Sequence, residues 1–523
     1  MTTARGPGFR ANVAATLAGR LGAMAVALVF ATLLTRWIGL DRYGTWSVFA
    51  VFIGFSSVLD FGLVVAVERA VAHADAAGQP ARIPALVDAA RSLAALLGAA
   101  LGLLSLAAIA ILPVPAWQAI GDAGEARRAA LVLPIAFALN LQAAVWAATL
   151  TGLRRSAEAH LLRVAGSASA AAITGLLVWW RGADVASMLL GYSAVIFLSG
   201  RVMARRVRAL AAPARWPRWP GRWDRDAARA LAGVGGAVQV STLAAQAGDL
   251  ALRSILGARF GPAAIGAYDL ATRAAMAPRH AASAVPVALV PQAQAQAVAD
   301  GHGSLGALHA RSVLLVALVV VAGTAGAWLV VDPLLALWLG PRPELSGVAT
   351  LMRLLLIFHA VLAIGAVASA IGRALGRPGP EAVAALAGNA AGVAAARFGG
   401  EAAAAVGAFA AVVAIATLAQ AVWIVRRERL RWPGPADAAR VAAIGGAAFA
   451  GTWLATRVDA AAPLQLALAG AAGGGAALLA AAASGLLRTW RTASPGSAGL
   501  ADGAAPDSGR AAPAPAASTV DGR

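Results

Sequence analysis

The chain has no cysteine and no lysine among its 523 residues. The first absence excludes disulfides, thiolate chemistry and cysteine-ligated metals. The second makes all 43 basic side chains arginine, against 24 acidic ones. The six histidines show no metal-ligand spacing, so no metal or other cofactor is expected. Charged residues are scarce at 13%, far too few for the polar surface of a soluble protein of this length.

What fills the chain is apolar: 60% of residues are hydrophobic and the mean hydropathy is +0.73. Runs of about twenty apolar residues, each able to cross a bilayer, recur along nearly its whole length. Fourteen candidate spans lie near 11–35, 45–67, 91–112, 129–151, 162–180, 184–204, 231–256, 265–290, 312–331, 348–371, 381–396, 402–425, 441–456 and 463–487. The first is too long for a signal-peptide core and is read as a retained span. The fold class is an all-α polytopic membrane protein.

Arginine clusters set the orientation. Arg154-Arg155, Arg205-Arg206-Arg208 and Arg426-Arg427-Glu428-Arg429-Leu-Arg431 fall on one side, which is taken as cytoplasmic. An even number of spans then puts both termini inside. The net charge of +19 sits at these helix ends, which argues against a nucleic-acid partner.

The segment Arg36-Trp-Ile-Gly39-Leu-Asp-Arg-Tyr-Gly44-Thr-Trp46 returns in altered form as Arg259-Phe-Gly261-Pro-Ala-Ala-Ile-Gly266-Ala-Tyr268. Gly39 and Gly261, Gly44 and Gly266, and Trp46 and Tyr268 are each 222 residues apart. Pro113, Trp117 and Gly121 are echoed, with slippage, by Pro333, Trp338 and Gly340. Six spans per copy make the repeats parallel. The expected organisation is a first lobe over 1–210, a basic Trp-rich cytoplasmic linker over 211–229, a second lobe over 230–425, two further spans over 426–490 and a disordered tail over 491–523. The linker's arginines and tryptophans suit an anionic headgroup layer of membrane lipids.

Polar residues inside spans need protein or water around them. They concentrate in the first two spans of each half. The first span carries Asn12, Thr16 and Arg20 on one helix face, and the second carries Ser56 and Asp60. The seventh has a stripe of Gln239, Thr242, Gln246, Asp249 and Arg253. The eighth has Asp269, Arg273, Met276, His280 and Ser283, with Arg279 beside them. Four such helices can surround one cavity. The alternative is mutual neutralisation, because Asp249–Arg253 and Asp269–Arg273 are each i, i+4 pairs. Arg353 and His359 on the tenth span are read as peripheral.

The opening span ending in Arg36-Trp-Ile-Gly39-Leu-Asp-Arg-Tyr-Gly44 resembles the start of bacterial polysaccharide flippases. Asp60-Phe-Gly-Leu63 with Ala66 and Arg69, Gly266-Ala-Tyr268 through Pro291, and Pro333-Leu-Leu-Ala-Leu-Trp-Leu-Gly340 are similar to their later segments. These belong to the multidrug/oligosaccharidyl-lipid/polysaccharide exporter superfamily, and the resemblance covers about residues 10–425. It implies movement of an undecaprenyl-diphosphate-linked oligosaccharide between leaflets of the bacterial inner membrane, for exopolysaccharide, capsule or O-antigen synthesis. It also implies two six-helix lobes that rock around a cavity. Arg20 is then the best match for a diphosphate contact, with Arg253, Arg273 and Arg279 as further cations. Asp60, Asp249 and Asp269 are candidates for H+ or Na+ coupling. A polysaccharide polymerase complex is the implied partner.

The alternatives are a multidrug exporter of the same fold and a membrane-embedded polymerase or ligase. The enzyme reading is disfavoured: the longest external connections run to about fifteen residues, and no nucleophile–base constellation is present.

Overall fold

The computed structural model describes residues 9–54, 63–182, 184–210, 216, 236–283, 302–340, 346–458 and 462–484, with a few positions between 285 and 296. In the first helix side chains are described over 22–51. The Arg20 side chain, Ser56, Asp60 and nearly all of the 211–229 linker therefore lie outside the described residues.

All regular structure among the described residues is helical. The helices are α1 (Phe9–Gly54), α2 (Leu63–Ala76), α3 (Ile83–Ile111), α4 (Val114–Gln118), α5 (Ala123–Gly152), α6 (Ser156–Arg181) and α7 (Val185–Leu210). After the linker come α8 (Gly236–Phe260), α9 (Pro262–Ala275), α10 (Ala277–Ala282), α11 (His302–Leu329), α12 (Val331–Leu339), α13 (Ser346–Ala374), α14 (Gly379–Ala396), α15 (Ala402–Arg427), α16 (Pro435–Thr456) and α17 (Ala462–Ala483). Ten helices among the described residues are long and apolar enough to cross a membrane. Four expected spans are not among them: the second, whose described residues are shared between the far limb of α1 and α2, the eleventh, which is the short α14 with Glu381 and Asn389 among its glycines and alanines, and the seventh and eighth. The polar stripe dilutes α8, and the eighth is broken at Met276, just before Pro278, into α9 and α10.

Local chemistry fits a bilayer. Thr32, Thr35, Thr149 and Thr174 donate their hydroxyls to carbonyls four residues back, so each is satisfied within its own helix. Asp122 caps α5 by accepting from the Glu125 amide at 2.8 Å. Small residues let helices approach closely: a Cβ on Gly200 would lie 2.7 Å from Ala143 Cα.

The expected turn between the first two spans is reduced to one residue. Gly39 sits at φ 78°, ψ 169°, and α1 resumes at once as a second limb. Gly261 adopts φ 84°, ψ 170° between α8 and α9. This backbone region is essentially restricted to glycine. The repeat is thus kept at the level of dihedral angles.

The two copies meet each other. A Cβ on Gly44 would lie 2.0 Å from the Pro262 carbonyl oxygen, and one on Gly266 would lie 2.6 Å from that of Leu40. The second limb of α1 therefore packs on α9 without side chains between them, closing one end of the bundle, here the glycine end. Short helices clasp this contact from both sides. The turn after α4 brings the Ala119 carbonyl against Gly257 of α8. On the other side, Trp338 of α12 donates its indole N–H to Thr32 of α1, and Arg36 donates to the Trp338 carbonyl at 2.9 Å. Each short helix follows the third span of its half and grips the first helix of the other half.

Where the linker is described, it is anchored. Trp216 packs at a tilt against Trp146, with ring centroids 5.8 Å apart, and the Arg208 guanidinium lies over both rings.

Candidate functional site

Just beneath the glycine contact lies a buried charge network. Arg253 on α8 is 4% exposed and Asp269 on α9 is 3% exposed. Arg253 donates from Nε to Asp249 at 2.8 Å and from one terminal nitrogen to Asp269 at 2.9 Å. Arg273 Nε reaches the other Asp269 oxygen at 2.6 Å. Tyr268 donates to Asp249 at 2.7 Å, and the Arg253 guanidinium lies over its ring at 5.2 Å. Two carboxylates and two guanidiniums thus neutralise one another, as burial at membrane depth requires. The two i, i+4 pairs that stood as the alternative to a cavity role both form, and Arg253 joins them into one cluster.

Among the described residues, the network crosses to the first half through hydroxyls. Tyr43 donates to Asp269 at 2.5 Å, and Arg253 donates to Ser47 at 3.1 Å. At the 222-residue offset, Asp269 corresponds to Ser47, Arg253 to Ala31, Asp249 to Ala27 and Arg273 to Val51. The geometry is duplicated, whereas the charge is carried by the second half.

Next to the network is a cavity of about 370 Å³. Its walls come from α1, α5, α6 and α7, with Arg273 reaching in from α9. Phe30, Trp46 and Tyr192 form an aromatic corner with ring centroids 5.8–6.2 Å apart. Arg163, Ser167 and Ser199 supply polar groups toward the other end. Glu68 on α2 is near enough to Arg163 to interact with it electrostatically.

Of the candidate residues read from the sequence, the structure places Asp249, Arg253, Asp269 and Arg273 together. Arg273 alone of these lines the cavity; its side chain is 32% exposed, and Arg253 and Asp269 are sealed in the interface. Gln239 and Gln246 lie half-buried on α8, N-terminal to Asp249. Arg279 instead turns to His359, 3.5 Å away, while His280 is exposed. His359 is therefore not peripheral, since it is buried on α13 at 5% exposure, facing Arg279 of α10. Arg353 pairs at 2.5 Å with Asp332.

Sequence reasoning missed Tyr43, Ser47, Tyr192 and Arg163. Arg163 sits near the edge of an expected span and reads as a headgroup contact. The tyrosines carried a signal in their rarity: there are only three, and all three meet the network or the cavity wall.

A multi-pass helical bundle built from two repeated halves, with a cavity beside their contact, has the architecture of a membrane transporter. The chain belongs to the polysaccharide biosynthesis protein family, whose model matches residues 9–296, more than half its length. No curated protein matches it significantly. Among solved structures it is similar to the lipid II flippase MurJ in an inward closed conformation, with a TM-score of 0.67 at 10% identity over 90% of this chain and 98% of that one. It is equally similar, at a TM-score of 0.67, to an inward-facing multidrug resistance MATE family transporter of the MOP superfamily, at 15% identity over 78% and 94% of the two chains. A MOP superfamily transporter from Pyrococcus furiosus, described as having a binding pocket of reversed polarity, gives 0.59 at 16% identity over 80% and 95%. These likenesses define the fold.

Proposed function

We propose that this protein flips an undecaprenyl-diphosphate-linked oligosaccharide from the inner to the outer leaflet of the bacterial cytoplasmic membrane, in exopolysaccharide, capsule or O-antigen synthesis. With the arginine-rich loops inside, both termini are cytoplasmic and the glycine end faces out. The cavity then lies on the cytoplasmic side of a closed outer gate. Arg163 and Arg273 on its walls suit a diphosphate, because a guanidinium offers a planar fork to phosphate oxygens and stays charged in a low dielectric. Arg20, Asp60, Gln239, Gln246, Arg279 and His280 complete the transport path in this reading. Asp249 and Asp269 take part in H+ or Na+ coupling, and the flipped glycan passes to a polymerase.

The observation that carries the proposal is the double engagement of Arg273. It holds Asp269 at 2.6 Å and also faces the cavity. A phosphate bound there competes with Asp269 for the same guanidinium, and Asp269 is the carboxylate that Tyr43 grips across the halves. Headgroup binding and gate release thereby share one side chain.

The test is leaflet translocation of a fluorescent lipid-linked oligosaccharide in proteoliposomes. Wild-type protein moves it and Arg273→Gln does not; a wild-type protein that leaves the lipid in its original leaflet sinks the reading. Export of an organic cation is the second reading, favoured by the Phe30–Trp46–Tyr192 corner. The cavity arginines oppose it, and a fluorescent cation in the same vesicles separates the two.

A further inference from the structure

A second concavity, about 870 Å³, runs along the outside of the first half between α1 and α6. Its lining has no ionisable side chain. It extends from Ala25 to Trp37 on α1, about 18 Å of helix at ~1.5 Å per residue. Its floor is cut by small residues at helical spacing on α6: Ala168, Ala172 and Gly175. At each end α1 and α6 close up, with Gly22 against Val164 and Gly175 against Trp37.

Phe30, Val26 and Ala171 line both this groove and the arginine-bearing cavity. The apolar surface and the polar chamber therefore share one thin wall. Phe30 forms its aromatic part, stacked on Tyr192 at 5.9 Å. An apolar groove lying against a cationic chamber, with Val26, Phe30 and Ala171 as the wall between them, matches an amphiphile with a long hydrocarbon chain and an anionic head.

We propose that the α1–α6 groove holds the polyprenyl chain of the substrate while its diphosphate lies in the cavity between Arg163 and Arg273, with the chain passing beside Phe30. This rests on the flippase reading. It adds that the chain enters sideways through the first half and stays on the lipid side during transport. Only the polar head then has to cross the protein interior, and the chain never leaves an apolar environment.

Ala168 and Ala172 are both exposed to the groove, four residues apart, so phenylalanine at either position fills it without entering the core. Ile173, exposed on the same helix outside the groove lining, is the size-matched control. Ala168→Phe and Ala172→Phe are expected to slow translocation by about ten-fold or more, the discrimination that one misplaced group produces in an apolar pocket. Ile173→Phe should translocate normally. A polyprenyl diphosphate carrying a photoreactive group on its chain should label peptides of α1 and α6 in the wild type and lose that labelling in the filled variants.

Unchanged translocation and labelling in both filled variants would overturn the groove assignment alone. Adducts mapping instead to the Gly/Ala-lined hollow of α11, α16 and α17 around Gly323, Thr452 and Gly473 would overturn it too. If wild-type protein labels on α1 and α6 yet translocates no oligosaccharide lipid, the groove stands and the flippase reading falls.

Discussion

Tyr43 and Asp269 lie 226 residues apart in sequence and 2.5 Å apart through a buried hydrogen bond. One belongs to the second limb of α1 and the other to α9, so this bond fastens the two halves beneath the glycine contact. Removing it in Tyr43→Phe leaves Asp269 paired with both arginines. The expected loss is about 1.5–3 kcal/mol of the closed state, the worth of a hydrogen bond to a charged group. The cysteine-free chain makes this measurable: Ala267→Cys, 8% exposed in the closed form, should react with an impermeant maleimide at least about ten-fold faster in the Tyr43→Phe background.

Asp269 itself is a different matter. Asp269→Ala leaves Arg253 buried with Asp249 alone and takes from Arg273 the carboxylate it holds. Breaking such a pair costs about 3–5 kcal/mol. The variant should lose most of its thermal stability in detergent. Adding Arg253→Met should recover part of it, and a double-mutant cycle that is strictly additive would show the two residues to be uncoupled.

Glycine substitutions separate sterics from strain. Gly44→Ala drives a methyl into the Pro262 carbonyl at 2.0 Å, so the halves must part. Gly39→Ala meets no atom within 4 Å and only strains a positive-φ backbone, at about 1–3 kcal/mol. Gly44→Ala should expose the Ala267→Cys probe to labelling; Gly39→Ala should lower stability with the probe still protected. Equal labelling in both would contradict the close approach.

The cavity arginines should also divide. Arg163 lies outside the buried cluster, so Arg163→Gln should abolish transport while shifting detergent stability by less than about 1 kcal/mol. Arg273→Gln should impair both, because it holds Asp269 as well as facing the cavity. Transport at wild-type rate in Arg163→Gln removes that residue from the substrate path.

The repeat and the polar stripes were legible because both are periodic: a fixed offset for the glycines, and steps of three and four along α8 and α9. The pairs within each stripe were equally readable. What joins the stripes was not. Tyr43, Ser47 and Phe30 sit in ordinary apolar surroundings, and their partners lie in the other half or on helices several spans away. Nor did hydropathy separate Arg163, at the edge of an expected span, from an arginine that merely snorkels to lipid headgroups. The short helix α12 was marked by the Pro333–Trp338–Gly340 echo, but nothing in that pattern told that Trp338 reaches back to Thr32.

Asp249, Asp269, Arg253 and Arg273 all ride on α8 and α9, and among the described residues of α1 they are answered by two neutral hydroxyls. When the halves separate, no cation leaves an anion and the four charges travel together with zero sum. Opening this interface therefore moves little net charge through the membrane field, and the step should be nearly indifferent to voltage. Any sensitivity of transport to membrane potential then has to come from the substrate's own phosphates or from a coupled ion.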